Sequence, residues 1–165
     1  MTSPRVLTAE ECVRLLGREG VARVAICTPV GPRIFPVNYV CEGGDSIVFR
    51  TSPSSTLGTF AWGTEVAFQV DELDWTTSSG WSVEAVGRPV VVHDPVEIAE
   101  LRGHGEPHPW AGGSREMFIR LRWKEIAGRS VGTAPLPQEP RDLRPADEDH
   151  SALSWHDRRK DHEGP

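Results

Sequence analysis

Between residues 21 and 50 the chain alternates β-rich runs with short turns: VARVAIC, TPVGPR, IFPVNYV, EGGD and SIVFR follow in order, with only Cys41 between the third and fourth. A parallel neighbour needs a crossover of a dozen or more residues, whereas a tight turn returns the chain antiparallel. EGGD is a hairpin turn by its two glycines, and TPVGPR is a turn by its prolines and glycine. Further along, EVAFQVDEL (65–73) alternates its faces as a fourth strand, and the loop WTTSSG leads into WSVEAVGRPVVVHD. That fifth strand is long, with a bend expected at Gly87-Arg88-Pro89. MFIRLRWKEIAGRSV supplies the sixth. Six closely spaced strands with few helices predict a mainly β protein, an antiparallel barrel with peripheral helices and not a βαβ sheet.

The helices announce themselves by their ends. Thr8-Ala-Glu-Glu11 is a capping box, and Val13, Leu15 and Leu16 give the helix that follows an apolar face. A short helix is expected over 57–62, and Pro95 opens another that runs through Leu101. Residues 1–132 read as one domain. Residues 133–165 differ, with five prolines, eight acidic against five basic residues and few aliphatics, which predicts a disordered or loosely docked tail.

Composition excludes several classes of function. A net charge of -6 argues against broad nucleic-acid or anionic-membrane binding. Three cysteines without a CxxC pair fit a reduced cytoplasmic protein, not a disulfide framework or a zinc site. No signal-like N-terminus and no apolar stretch of membrane-spanning length is present. His104 and His108 have metal-like spacing but lie in a Gly/Pro loop with no further ligand nearby, so no metal is expected. Neither a GxSxG elbow nor a Walker motif occurs.

The stretch RTSPSSTL (50–57) carries the most chemistry. Arg50 ends a strand, and Thr51, Ser52, Ser54, Ser55 and Thr56 follow within six residues. A phosphate needs a cation and several donors, because its oxygens only accept; arginine offers a bidentate fork and hydroxyls offer protons. If Leu57 begins a helix, the amides around Ser55 also point toward an anion. A serine-capped helix after a hairpin accounts for the same eight residues without a ligand, and both readings stand at this level. Asn38 sits among core-like residues in FPVNYV, where its amide can bond neighbouring backbone or the polar edge of a heterocycle. Trp81 and Trp110 flank loops, where an indole can wall a pocket for a flat ring or close a subunit interface. Trp62, Trp75 and Trp123 read as structural.

Taken in order, the capped helix, VARVAIC, FPVNYV-x-EGGDSIVFRTSPSSTL, VAFQVDELD, GWSVEAVGRP, HPW and a last strand ending in GR resemble the pyridoxamine 5'-phosphate oxidase-like flavin-binding split barrels, especially the small actinobacterial type. The resemblance spans about residues 7–131. It implies a six-stranded split barrel that forms a homodimer and binds FMN at the subunit interface. It places Arg50, Thr51, Ser55 and Thr56 at the phosphate and Val37 and Asn38 beside the ring. Gln69, Trp81 and Ser82 would line the pocket or the dimer seam, with Trp110 closing it. Relatives commonly carry lysine where this chain has Thr56, so a second cation would have to come from elsewhere, such as Arg88 or Arg120. Relatives also divide among FMN, the deazaflavin coenzyme and, in some cases, haem or no proven ligand, and the sequence does not separate these. An FMN-dependent oxidoreductase with unknown substrate is the first reading; a non-catalytic flavin or deazaflavin carrier or redox sensor, or a deazaflavin-dependent reductase, is the second. True pyridoxamine phosphate oxidation is disfavoured, because the acidic tail offers no counterpart to the arginines that activity requires.

Overall fold

The structure, a computed structural model, describes residues 3–18, 20–103, 107 and 114–138. Its strands are β1 (Arg5–Val6), β2 (Gly20–Thr28), β3 (Gly31–Glu42), β4 (Ser46–Thr51), β5 (Val66–Asp74), β6 (Ser79–Val91) and β7 (Met117–Val131). The helices are α1 (Ala9–Leu16), α2 (Thr56–Phe60) and α3 (Pro95–Gly103). The sheet order is β1-β7-β4-β3-β2-β5-β6, and β6 also pairs with β7, so strands β2 to β7 close on themselves. All pairings are antiparallel. The expected six-stranded antiparallel barrel is therefore what forms, and closure pairs β6 with β7 where an open sheet would leave its last strand unpaired. β1 is an addition, two residues laid against Arg129 and Ser130 of β7, too short to leave a periodicity in the sequence.

Turn chemistry sets the hairpins. Gly43 and Gly44 both adopt positive φ (63° and 76°), the left-handed backbone that lets the three residues 43–45 join β3 to β4. The expected bend in the fifth strand is a register shift between Val86 and Gly87, and β6 runs on through Pro89 to Val91, still paired with β7.

Strand alternation sorts the barrel's two faces. Val24, Ile26, Tyr39, Ile47, Phe49, Phe68, Val70, Val83, Ala85, Ile119 and Leu121 fill the interior. The Tyr39 and Phe68 rings meet edge to face, centroids 4.9 Å apart. Helix α1 seats Cys12, Leu15 and Leu16 on this core. Its capping box forms as the sequence predicts, Glu11 N–H donating to Thr8 Oγ1 and Thr8 N–H donating to Glu11 Oε2. At its other end Tyr39 Oη donates to the Leu16 carbonyl (2.8 Å), satisfying a helix-terminal acceptor from inside the barrel.

A second, smaller core lies on the outer face. There α3 packs Ile98 and Leu101 over Val48, Val92 and Phe118, with Val40 alongside. Arg120 fastens it, donating to Glu42 on β3 (2.6 Å) and to Glu97 on α3. Residues 133–138, the start of the expected tail, follow β7 back to the barrel: Leu136 packs against the main core and Arg14 donates to the Pro137 carbonyl. Residues 139–165 lie outside the described residues.

Candidate functional site

Because side chains alternate along a strand, Arg50 shares the outer face with Val48, while Phe49 and Thr51 turn inward. Asn38 likewise faces outward between the buried Val37 and Tyr39. The β3–β4 pairing brings these two polar side chains to one end of the barrel wall. A cavity of about 320 Å³ opens there, lined by Val21, Phe35, Pro36, Val37, Asn38, Arg50, Thr51, Ser55, Leu57 and Arg115. Its lining combines apolar side chains with the polar residues Asn38, Thr51 and Ser55 and with Arg50 and Arg115. Among the described residues, no carboxylate, imidazole or thiol is in the lining.

The Arg50 side chain is held from two sides. Its Nε donates to the Arg115 carbonyl (2.8 Å), and its guanidinium carbon stands 5.0 Å from the centre of the Phe118 ring. Arg102, at the end of α3, stands 5.7 Å from the same ring centre. Phe118 is fully buried, so the small outer core beneath α3 is also the surface against which these cations are placed.

The hydroxyls behave differently from the donors expected of them. Ser55 is the N-cap of α2: its Oγ accepts from Gly58 N–H (2.9 Å) and donates to the Ser52 carbonyl (2.7 Å). Thr51 Oγ1 lies 2.8 Å from Ser55 Oγ. With the Ser55 proton given to Ser52, Thr51 is the donor in that contact. Ser52 and Ser54 bond one another (3.0 Å). Thr51 and Ser55 thus direct their protons into the loop itself, as does whichever of Ser52 and Ser54 is the donor between them. Thr56, the first residue of the five-residue α2, is exposed and does not line the cavity. The loop is both a capped turn and the wall of a cavity, so the two readings of RTSPSSTL are not exclusive. Gly58 makes the tight turn feasible, since a Cβ there would come within 2.2 Å of the Ser52 carbonyl oxygen.

The remaining site residues expected from the sequence lie elsewhere. Gln69 and Ser82 line a different groove of about 510 Å³, together with Pro4, Val6, Glu84 and Arg129, and the two cavities share no residue. Trp81 is 4% exposed and packs in the main core with Val83 and Ala85. Its position follows from the alternation W-S-V-E-A, which places it on the interior face; the neighbouring loop had suggested otherwise. Its Nε1 is buried without a hydrogen-bond partner among the described residues, beside a small cavity of about 160 Å³ walled by Glu72, Asp74 and residues 134–137. Trp75, read as structural, is 88% exposed in the β5–β6 turn. Trp110, His104 and His108 fall outside the described residues.

Neither arginine proposed as the missing second cation lines the cavity. Arg120 is engaged by Glu42 and Glu97; partial burial opposes its charge, but the two carboxylates outweigh that and raise its pKa. Arg88 is exposed on β6, beyond the cavity's lining. Arg115 is the residue that sequence reasoning missed. It precedes β7 in an irregular segment and carries no motif, and only the β4–β7 pairing, Thr51 against Met117, brings it to Arg50.

No helix among the described residues is long and apolar enough to cross a membrane. Comparison with known proteins adds three relatives. The Mycobacterium tuberculosis protein Rv0080, described as uncharacterized, is 28% identical over 137 residues, covering 79% of this chain and 88% of the relative. The FAD binding protein from Mycobacterium smegmatis superposes with a TM-score of 0.61 at 25% identity, covering 78% of this chain and 99% of that one. A candidate pyridoxamine 5'-phosphate oxidase from Corynebacterium glutamicum superposes with a TM-score of 0.67 at 25% identity, covering 79% of this chain and all (100%) of that one. The sequence model of the pyridoxamine 5'-phosphate oxidase family matches residues 8–130, the whole barrel from the capping box of α1 to the end of β7, and to that family of split-barrel proteins the chain belongs.

Proposed function

We propose that the protein binds a flavin nucleotide, FMN in the first instance, in the cavity bounded by Asn38 and Arg50, and that it works as a flavin-dependent oxidoreductase. The observation that carries this reading is the mixed composition of that cavity's lining. Val21, Phe35, Pro36 and Leu57 offer an apolar surface for a flat ring, Asn38 offers an amide to the ring's polar edge, and Arg50 offers a charge-assisted contact to a phosphate. The FAD binding protein of Mycobacterium smegmatis, with the same fold, supports a flavin as the class of ligand. When bound, the isoalloxazine would supply hydride or electron transfer, and the protein would supply binding and orientation.

The same reading makes the protein a homodimer. Half of the expected ligand-binding residues line one groove and Gln69 and Ser82 line another, so one protomer does not unite them. A two-fold dimer that sets one protomer's first groove against its partner's second would do so. The lack, among the described residues, of any carboxylate, imidazole or thiol in the cavity lining favours a second reading, a flavin or deazaflavin carrier or redox sensor without dedicated acid–base chemistry.

Reconstitution separates these. The purified protein is titrated with FMN, FAD and the deazaflavin coenzyme by fluorescence, its mass in solution is measured with and without ligand, and reduced nicotinamide consumption is followed. Saturable FMN binding by a dimer, with turnover, is the expected result. Binding without turnover on any electron donor selects the carrier reading. A monomer that binds FMN with full affinity refutes the interface site, and failure to bind any flavin refutes the whole proposal.

A further inference from the structure

We infer that residues 133–138 form a strap that opens and closes over Trp81 while the barrel stays folded, and that the buried indole N–H meets its hydrogen-bond acceptor, water, only when the strap is open. The inference does not depend on the flavin reading. Trp81 is 4% exposed, and its Nε1 is buried with no partner among the described residues. Buried donors are nearly always paired, so one that is not marks a place where the closed structure is under tension. The strap is what covers this end of the barrel. Residues 134–137 form one wall of the small cavity of about 160 Å³ beside Trp81, and Glu72, Asp74 and Ser79, at the joined ends of β5 and β6, form another.

The strap is held lightly. Among the described residues no backbone–backbone hydrogen bond ties it to the barrel, and Pro135 and Pro137 have no N–H to give. Its fastenings are Leu136, half-buried against the main core, and the Pro137 carbonyl, which accepts from Arg14 of α1. Gln138 Nε2 donates to the Leu136 carbonyl (3.2 Å), a bond within the strap itself. Two opposed effects therefore meet at one place. Burial of Leu136 favours closure, whereas the closed strap keeps water from the Trp81 donor, which favours opening. The two prolines restrict the open strap, so less conformational freedom is lost each time it closes. β6 cannot answer the tension by moving, because it is paired on both sides from Gly80 to Gly87. The segment with the fewest bonds opens first, well below the free energy of global unfolding.

Hydrogen exchange at the indole, followed by proton–nitrogen NMR on the full chain, tests this. The chain has six tryptophans, and Trp81→Phe identifies the signal that belongs to Trp81. In the parent that signal should be protected, yet exchange faster than the most protected backbone amides of β5 and β6. Leu136→Ala should speed its exchange about tenfold and leave those amides unchanged. Arg14→Met removes the bond to Pro137 while leaving Leu136 in place, and should act in the same direction. Ile98→Ala is the control: it weakens the outer core beneath α3 without touching the strap, and Trp81 should exchange as in the parent. Exchange of Trp81 at the rate of the slowest amides, unmoved by Leu136→Ala and Arg14→Met, overturns the inference, because the indole would then open only with the whole barrel. An acceleration by Ile98→Ala equal to that by Leu136→Ala does the same. So does a Trp81 signal that has fully exchanged at the first time point, since the strap would then not cover the indole at all.

Discussion

Ser55→Ala separates the two roles that the RTSPSSTL loop combines. In the folded chain Ser55 Oγ accepts from Gly58 N–H, donates to the Ser52 carbonyl and lies 2.8 Å from Thr51 Oγ1. Loss of an N-cap side chain costs about 1 kcal/mol. Thr51 is 2% exposed, so its hydroxyl would be left buried without the acceptor it uses, at a cost of about 1–3 kcal/mol. The two overlap in one small helix, and a total of roughly 2–3 kcal/mol is the expectation. At about 2–4 °C per kcal/mol for a chain of this size, the melting temperature of the ligand-free protein should fall by roughly 5–10 °C. Urea unfolding followed by tryptophan fluorescence measures the loss directly. Ser55→Asn restores an N-cap acceptor but not the Thr51 contact, so it should recover about 1 kcal/mol. Any effect on ligand affinity should be the same for FMN and riboflavin, because it acts through the loop. A variant with unchanged stability that loses FMN and keeps riboflavin would show that the Ser55 proton goes to the phosphate, and the internal hydrogen-bond assignment would be wrong.

Arg50→Ala should weaken FMN by about tenfold to a hundredfold, at ~1.4 kcal/mol per decade, and leave riboflavin nearly unaffected; a calorimetric titration of both ligands decides it. The Glu11 carboxyl lies below its ordinary value of 4.5, chiefly because Thr8 N–H donates to it; desolvation opposes this, and Arg5 adds to the lowering. A depressed acid stabilises the fold above its unfolded pKa and loses that contribution as pH falls through its folded one. Melting curves of the parent and Glu11→Ala should therefore differ at neutral pH and converge below about pH 4; a gap that persists in acid would refute the assignment. A chain ending after Gln138 should melt within a few degrees of the full chain, because Leu136 and the Arg14 contact to Pro137 are retained. A chain ending after Thr133 should lose roughly 1–2 kcal/mol of apolar burial, measurable by urea titration.

The local features of this protein were legible in its sequence because they depend on neighbours. Two consecutive glycines could only make the tight β3–β4 turn, and T-A-E-E could close its own capping box before any tertiary contact existed. Strand alternation separated Asn38 from Val37 and Tyr39, and read consistently it also buries Trp81 beside Val83 and Ala85, against the pull of the loop next to it. What the sequence did not contain was any relation between segments far apart. β1 is two residues long and exists only because β7 offers it an edge. Arg115 has no motif, and the β4–β7 register alone brings it to Arg50. Gln69 and Ser82 resemble ligand-binding positions, yet the closed barrel puts them in a groove that the arginine cavity does not reach. The hydroxyls of 51–57 were visible as donors, but a hydroxyl has one proton, and which acceptor receives it depends on distances that only the folded loop sets. Residue identity and spacing thus determined the elements and their faces, whereas barrel closure decided which side chains share a cavity, because pairing between distant strands depends on the whole chain's packing and not on any one stretch of it.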